Sequence, residues 1–204
     1  MSDIGVSQDG FVATVEMRRP PHNFFDSELI AEIGEAFQRL DADPGCRAIV
    51  LAAEGRSFCA GADFSRRMET GTVAEGSRSG AGRHLYKEAI RLFRTRKPVV
   101  AAVHGAAVGG GLGLALVADF RVTCDEARFS ANFNRLGFHP GFGLTATLPR
   151  LVGAQQAALL PAIVVERYLR RLRRAGCDPF DKTVTAPDPL QSWRFAAAAL
   201  FNRF

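Results

Sequence analysis

Residues 97–119, KPVVAAVHGAAVGGGLGLALVAD, constrain the fold of this chain more than any other stretch. Lys97-Pro98 stops whatever helix precedes it, because the residue before a proline is pushed out of the helical region. The next five residues, VVAAV, are a short apolar run that reads as a strand buried on both faces. Gly105 breaks it. Gly109, Gly110 and Gly111 follow, where backbone must turn sharply or approach another group closely. From Gly111 onward, Leu112, Leu114, Ala115, Leu116 and Ala118 read as a buried helix ending before Asp119. A helix that opens on glycines presents bare N–H groups beside its positive dipole end. Such a place suits an anion, or an oxygen that becomes anionic during a reaction. Three readings stay open here: a phosphate cradle, an oxyanion stabiliser, or close packing of helix on sheet. The phosphate reading is the weakest, because the spacing fits neither G-x-G-x-x-G nor G-x-x-x-x-G-K-[ST] and Lys97 precedes the strand.

A second stretch repeats the arrangement. Residues 47–53 (RAIVLAA) read as another buried strand, and residues 57–64 (SFCAGADF) follow with the small-residue loop Ala60-Gly61-Ala62. Two such loops from adjacent strands can converge on one oxygen. On these residues the chain resembles the crotonase family, also called the enoyl-CoA hydratase/isomerase family. SFCAGADF is similar to the family's first oxyanion-hole segment and KPVVAAVHGAAVGGGLGLALVADFRV to its second. The resemblance spans about residues 10–160. It implies an α/β fold of the crotonase-like (ClpP/crotonase) kind, a spiral of repeated ββα units. It implies an oxyanion hole made by the amides of Ala62 and Gly110. It places Phe24, Phe25, Ala60, Ala62, Asp63, Phe64 and Gly110 along a coenzyme A thioester, which enters as substrate and not as a covalently bound cofactor. It also implies fatty acid metabolism and a homotrimer or dimer of trimers.

The chain departs from the family where the proton is moved. In the hydratases two glutamates share the catalytic water. The first position corresponds to Gly113 and the second to Phe133, and residues 127–165 contain no Asp or Glu. The resemblance therefore implies acyl-CoA binding, while these residues argue against ordinary hydration of an enoyl-CoA. His139, within GFHPG at 137–141, is the candidate acid or base, since histidine suits proton transfer near neutral pH. A structural turn histidine is the alternative. Asp63 matches an aspartate common in the family and reads as structural. His104 reads as a packing or hydrogen-bonding residue. A lyase or isomerase of open reaction is the leading expectation; a non-catalytic acyl-CoA-binding or structural relative is the other.

The rest of the chain frames this site. Residues 11–17 alternate and read as a strand, ended by Arg18-Arg19-Pro20-Pro21. Asp26 or Ser27 caps a helix with the stripe Leu29, Ile30, Ile33, Phe37 and Leu40. Residues 71–82 are rich in glycine and serine and read as a covering loop. Residues 83–96 read as a basic helix with Leu85, Ala89, Leu92 and Phe93 inward. Residues 120–123 and 127–130 read as strands, 145–152 and 154–160 as helical pieces. The similarity stops near residue 160, and 161–204 read as a divergent or truncated tail in place of the family's trimerisation helices.

Composition narrows the classes. Among 204 residues the net charge is +5, which suits a polyanionic ligand such as coenzyme A. No nucleic-acid motif is present. No apolar stretch reaches membrane-spanning length unbroken. The N-terminal MSDIGVSQDG does not read as a signal peptide. Cys46, Cys59, Cys124 and Cys177 are scattered without metal-ligand spacing, so no metal site and a reducing cytoplasm are expected.

Overall fold

The computed structural model describes residues 2–62, 84–133 and 139–153. The chain divides into two compact units, Met1–Thr147 and Leu148–Phe204. The covering loop at 71–82, the helix at 154–160 and the tail at 161–204 lie outside the described residues.

In chain order the elements are β1 (Ile4–Asp9), β2 (Val12–Met17), α1 (Ser27–Ala42), β3 (Ala48–Ala53), α2 (Leu85–Leu92), β4 (Val99–Val103), β5 (Ala106–Val108), α3 (Gly110–Ala115), β6 (Phe120–Thr123), β7 (Arg128–Ser130) and α4 (Leu144–Val152). The main sheet has the order β1-β2-β3-β4-β6. Its first pair is antiparallel and all later pairs are parallel. Parallel neighbours require crossovers, and α1 and α2 supply helices to two of them.

A second, smaller layer runs beside this sheet. β5 pairs in parallel with β7. Bridges Cys59↔Ala107 and Phe25↔Ala62 extend the layer through residues 59–62 to residue 25. Each turn of the chain thus contributes one strand to the large sheet, one short strand to the small layer, and then a helix. β4–β5–α3 and β6–β7–α4 are two complete turns, so the ββα spiral anticipated from the sequence is present.

α1 forms because its apolar residues recur at helical spacing. Asp26 is its N-cap, with a carboxylate oxygen accepting from the Leu29 amide at 3.0 Å. The stripe Leu29, Ile30, Ile33, Phe37 and Leu40 is buried. α2 packs against α1 at Gly34, where a β-carbon would make an ordinary contact with Leu92 at 3.6 Å. Lys97 donates its ammonium to the carbonyls of Leu40 and Asp43, which occupies the charge at the C-terminal end of α1.

Two expectations are corrected. Phe93 lies 42% exposed, not inward. The helix ends at Leu92, so the helical phase that would turn Phe93 inward no longer applies. β4 buries Val99, Ala101 and Val103 but leaves Val100 and Ala102 half-buried. Strand alternation sends these two sets to opposite faces, and one face alone is fully packed.

Candidate functional site: two backbone amides and an aromatic wall

The site is built where the small layer ends. Residues 59–62 run between residues 22–25 and β5, stitched on both sides. The Ala60 amide donates to the His22 carbonyl at 2.9 Å and the Phe25 amide to the Gly61 carbonyl at 3.0 Å. On the other side the Cys59 amide donates to Ala106 and the Val108 amide to the Cys59 carbonyl, both at 3.0 Å. The Gly109 amide continues the ladder to the Ser130 carbonyl at 2.7 Å. Ala62 bridges Phe25 in the first segment, and Gly110 opens α3 shortly after β5.

Close backbone approach is what requires glycine here. Gly61 has φ +90°, and a β-carbon on it would lie 2.8 Å from the Val108 carbonyl oxygen and 3.7 Å from the Gly110 nitrogen. A β-carbon on Gly111 would lie 2.0 Å from the Cys59 carbonyl oxygen. Neither contact has a flexible side chain that could move aside. Among the described residues the N–H groups of Ala62 and Gly110 meet no acceptor. Backbone amides that meet no acceptor among the described residues are donors available to a ligand oxygen.

The first loop is locked by a residue that sequence reasoning missed. Asn23 is fully buried with φ 49°. Its side-chain amide donates to the carbonyls of Glu54 at 2.6 Å and Ser57 at 2.8 Å, and its side-chain oxygen accepts from the Arg19 amide at 2.9 Å. Asn tolerates this left-handed conformation better than most residues. His22 lies beside it, with Nδ1 3.1 Å from the Ser57 hydroxyl. Arg19 completes the lock by pairing with Asp3 at 2.6 Å and Asp26 at 2.8 Å. Burial would raise the Asp26 carboxyl, but hydrogen bonds from Arg19 and the Leu29 amide outweigh it and hold the group below its ordinary value. Burial pushes the Cys59 thiol up to about 12, which leaves it a packed, unreactive side chain.

Phe24 and Phe25, whose backbone the resemblance places at the coenzyme A adenine, differ in burial. Phe24 is 39% exposed, while the Phe25 ring is buried and packs against Phe142 with centroids 5.2 Å apart and planes tilted by 50°. A β-carbon on Gly110 would meet the tip of the Phe25 ring at 2.4 Å, so that ring packs beneath the second amide. Asp63 and Phe64 lie outside the described residues. His139 is exposed, with Nδ1 3.4 Å from the Pro140 carbonyl oxygen. Among the described residues no contact links it to Ala62 or Gly110. His104 accepts the expected hydrogen-bonding role, with Nε2 2.9 Å from the Gly55 carbonyl oxygen.

The positions that lack carboxylates are filled by rings. A β-carbon on Gly113 would lie 2.6 Å from the Phe142 β-carbon and 2.8 Å from its carbonyl oxygen. Phe142, buried at φ 53°, thus takes the volume a side chain at 113 would need. The Phe133 ring lies 3.8 Å from a β-carbon position on Gly109 and 3.6 Å from one on Gly141. The Tyr86 hydroxyl closes on Gly141 from α2, 2.6 Å from that same β-carbon position. The Asn132 side-chain oxygen lies 2.9 Å from the β-carbon position of Gly109, next to the second amide. Tyr86, Asn132 and Phe142 escaped the sequence reading because no local spacing links residues 86, 132 and 142. No group of His, Cys, Asp or Glu among the described residues could hold a metal ion.

An α/β spiral of repeated ββα units defines a class of proteins, and the comparisons agree on that class. The enoyl-CoA hydratase/isomerase family model matches residues 7–163. A probable enoyl-CoA hydratase of Bacillus subtilis is 35% identical over 77% of this chain and 60% of its own length. The probable enoyl-CoA hydratase EchA14 of Mycobacterium tuberculosis is 41% identical over 76% of this chain and 60% of its own. The solved structure of a putative enoyl-CoA hydratase/isomerase (crotonase) from Legionella pneumophila superposes with a TM-score of 0.68 at 30% identity, over 78% of this chain and 62% of that one. The chain belongs to the enoyl-CoA hydratase/isomerase, or crotonase, family. It spans about 60% of the length of the curated relatives it matches. No helix among the described residues is long and apolar enough to cross a membrane.

Proposed function

We propose that this chain binds an acyl-CoA thioester and stabilises the negative charge that develops on its carbonyl oxygen, using the amides of Ala62 and Gly110. The observation that carries this reading is a pair of N–H groups that meet no acceptor among the described residues, on two backbones that approach too closely at Gly61 and Gly111 for a side chain. Aimed at an oxygen in a water-poor site, each donor is worth most when that oxygen turns anionic. The thioester lies along Ala60, Ala62, Asp63 and Phe64, with exposed Phe24 and the Phe25 backbone at its coenzyme A end. The reaction is of the lyase or isomerase kind. Ordinary hydration is disfavoured, because Gly113 and Phe133 offer no proton and Phe142 fills the space at 113. His139 remains the acid or base to test first. A cytoplasmic homotrimer is the assembly proposed with this activity.

The second reading, an acyl-CoA-binding relative without turnover, draws on the same Gly113–Phe142 packing. A panel of acyl-CoA thioesters separates the two. Ala62→Pro removes one N–H. Loss of one such donor costs about a hundredfold to a thousandfold in turnover. Unchanged turnover in that variant contradicts the oxyanion assignment. If the wild type binds thioesters but turns none over, the second reading is correct.

A further inference from the structure

We propose that the exposed face of α2 is a docking seam for an acidic amphipathic helix of another protein. The inference does not depend on the acyl-CoA reading. Tyr86, Ile90 and Phe93 follow one another at spacings of four and three residues. That is the alternation of a helix–helix seam, in which apolar residues recur every 3.5 residues on average. All three are exposed, at 47%, 52% and 42%. The other side of α2, formed by Leu85, Ala89 and Leu92, is the buried one. Single exposed apolar side chains are ordinary, but three in line form a patch with a direction. Residues 141–143 run beside it. The β-carbon positions of Gly141 and Gly143 lie 2.6 Å from the Tyr86 hydroxyl and 3.1 Å from the tip of the Phe93 ring. Glycine at both positions leaves this flank without side chains that would bar an approaching helix.

Charge at the seam selects the occupant. Lys87 and Arg94 each follow a seam residue by one position, the flanking place where paired helices match their charges. Both are exposed, and among the described residues neither side chain is paired. Glu88, the acid of α2, is taken by Arg91 at 2.5 Å. Residues 139–147, on the other flank, contain no Asp or Glu. A helix with an apolar stripe and glutamates beside it therefore meets complementary charge here. A strand presents every second residue to one side and does not match a four–three spacing. A lipid surface calls for a broad apolar face, and this one is a single file of three side chains. A second copy of this chain has no such helix to offer. α1 carries Glu28, Glu32 and Glu35, but its apolar stripe is buried. Residues 161–174 hold five arginines against one glutamate.

The test titrates the full chain into a fluorescent synthetic helical peptide with Leu at its seam positions and Glu beside them, read by anisotropy. A scrambled peptide of the same composition and a version with Lys in place of Glu are the controls. The Glu peptide should bind about tenfold tighter than either, since like charges across such a seam cost affinity. Ile90→Ser should weaken it about tenfold or more, the equivalent of leaving an isoleucine in water. Lys87→Glu with Arg94→Glu should reverse the order of the Glu and Lys peptides, and it repeats the test should Ile90→Ser lower Tm. Equal binding of the Glu and scrambled peptides overturns the inference. So does binding untouched by both changes. Two further results overturn it by naming another occupant. Self-association of the chain that Ile90→Ser abolishes means a second copy. Binding to phosphatidylcholine–phosphatidylglycerol vesicles, and to no peptide, means a lipid surface.

Discussion

The two loops that carry the amides and the wall that faces them obey different rules. Around Ala62 and Gly110 the constraint is backbone against backbone. Gly61 and Gly111 sit where a β-carbon would strike the carbonyls of Val108 and Cys59. At Gly141 the obstacle is the Tyr86 side chain, and at Gly113 it is Phe142, through its β-carbon at 2.6 Å and its backbone carbonyl oxygen at 2.8 Å. The first region admits almost no change. The second is walled in part by side chains, which substitution can change. On the proposed reading, backbone-held amides beside a wall of side chains let one scaffold hold one oxygen and vary its chemistry.

The largest effect should come from the rigid side. In Gly111→Ala the new methyl group meets a backbone carbonyl at 2.0 Å, and the strand carrying Cys59 must move. The expected loss is about 3 kcal/mol or more, or roughly 6–12 °C in Tm for a chain of this size. An unchanged melt means the loops are not in contact as described. Next comes the wall. Gly113→Glu drives a carboxylate into the Phe142 side chain and should destabilise by about 3 kcal/mol. Adding Phe142→Gly, which removes the β-carbon and ring and suits the positive φ at 142, should return part of that loss, the carbonyl of residue 142 at 2.8 Å keeping the rest. No recovery in the pair would mean position 113 is closed by backbone, as at 111.

The smallest effect tests the lock behind the first loop. Asp26→Ala removes a helix cap and the partner of Arg19, for about 1–2 kcal/mol. Because the folded carboxyl titrates below its ordinary value, its stabilisation is complete above about pH 4 and fades as pH falls through the depressed value. The wild type should therefore lose stability in acid more steeply than Asp26→Asn, which keeps a capping oxygen without the charge. Parallel pH profiles from urea melts would show that the charge contributes nothing.

What the sequence revealed follows the same division. The glycine-rich loops were legible because close backbone approach demands one residue type, and that demand is written locally. β3, β4 and α1 were legible from apolar periodicity. β1 was not read, since it is an edge strand whose burial falls away after Ile4. β5 was not read either; its three residues sit inside the glycine stretch and owe their extension to pairing with Cys59 and β7. Asn23 carried a turn signal in its residue type, but its three hydrogen bonds reach positions 19, 54 and 57. The aromatic wall was invisible because it is assembled from α2, the turn after β7 and the segment before α4. Gly113 and Phe133 could be seen to lack carboxylates, yet nothing local showed that Phe142 and Tyr86 fill the space beside them.

The central claim is that Ala62 and Gly110 hold one thioester oxygen between them. Its most direct measurement is the isotope-edited infrared spectrum of a bound acyl-CoA labelled with carbon-13 at the thioester carbonyl. Two charge-polarising donors weaken that bond, so the carbonyl stretch should fall to lower frequency on binding and return toward its free position in Ala62→Pro. A bound thioester whose carbonyl stretch matches that in water, or whose shift survives Ala62→Pro, would contradict the account.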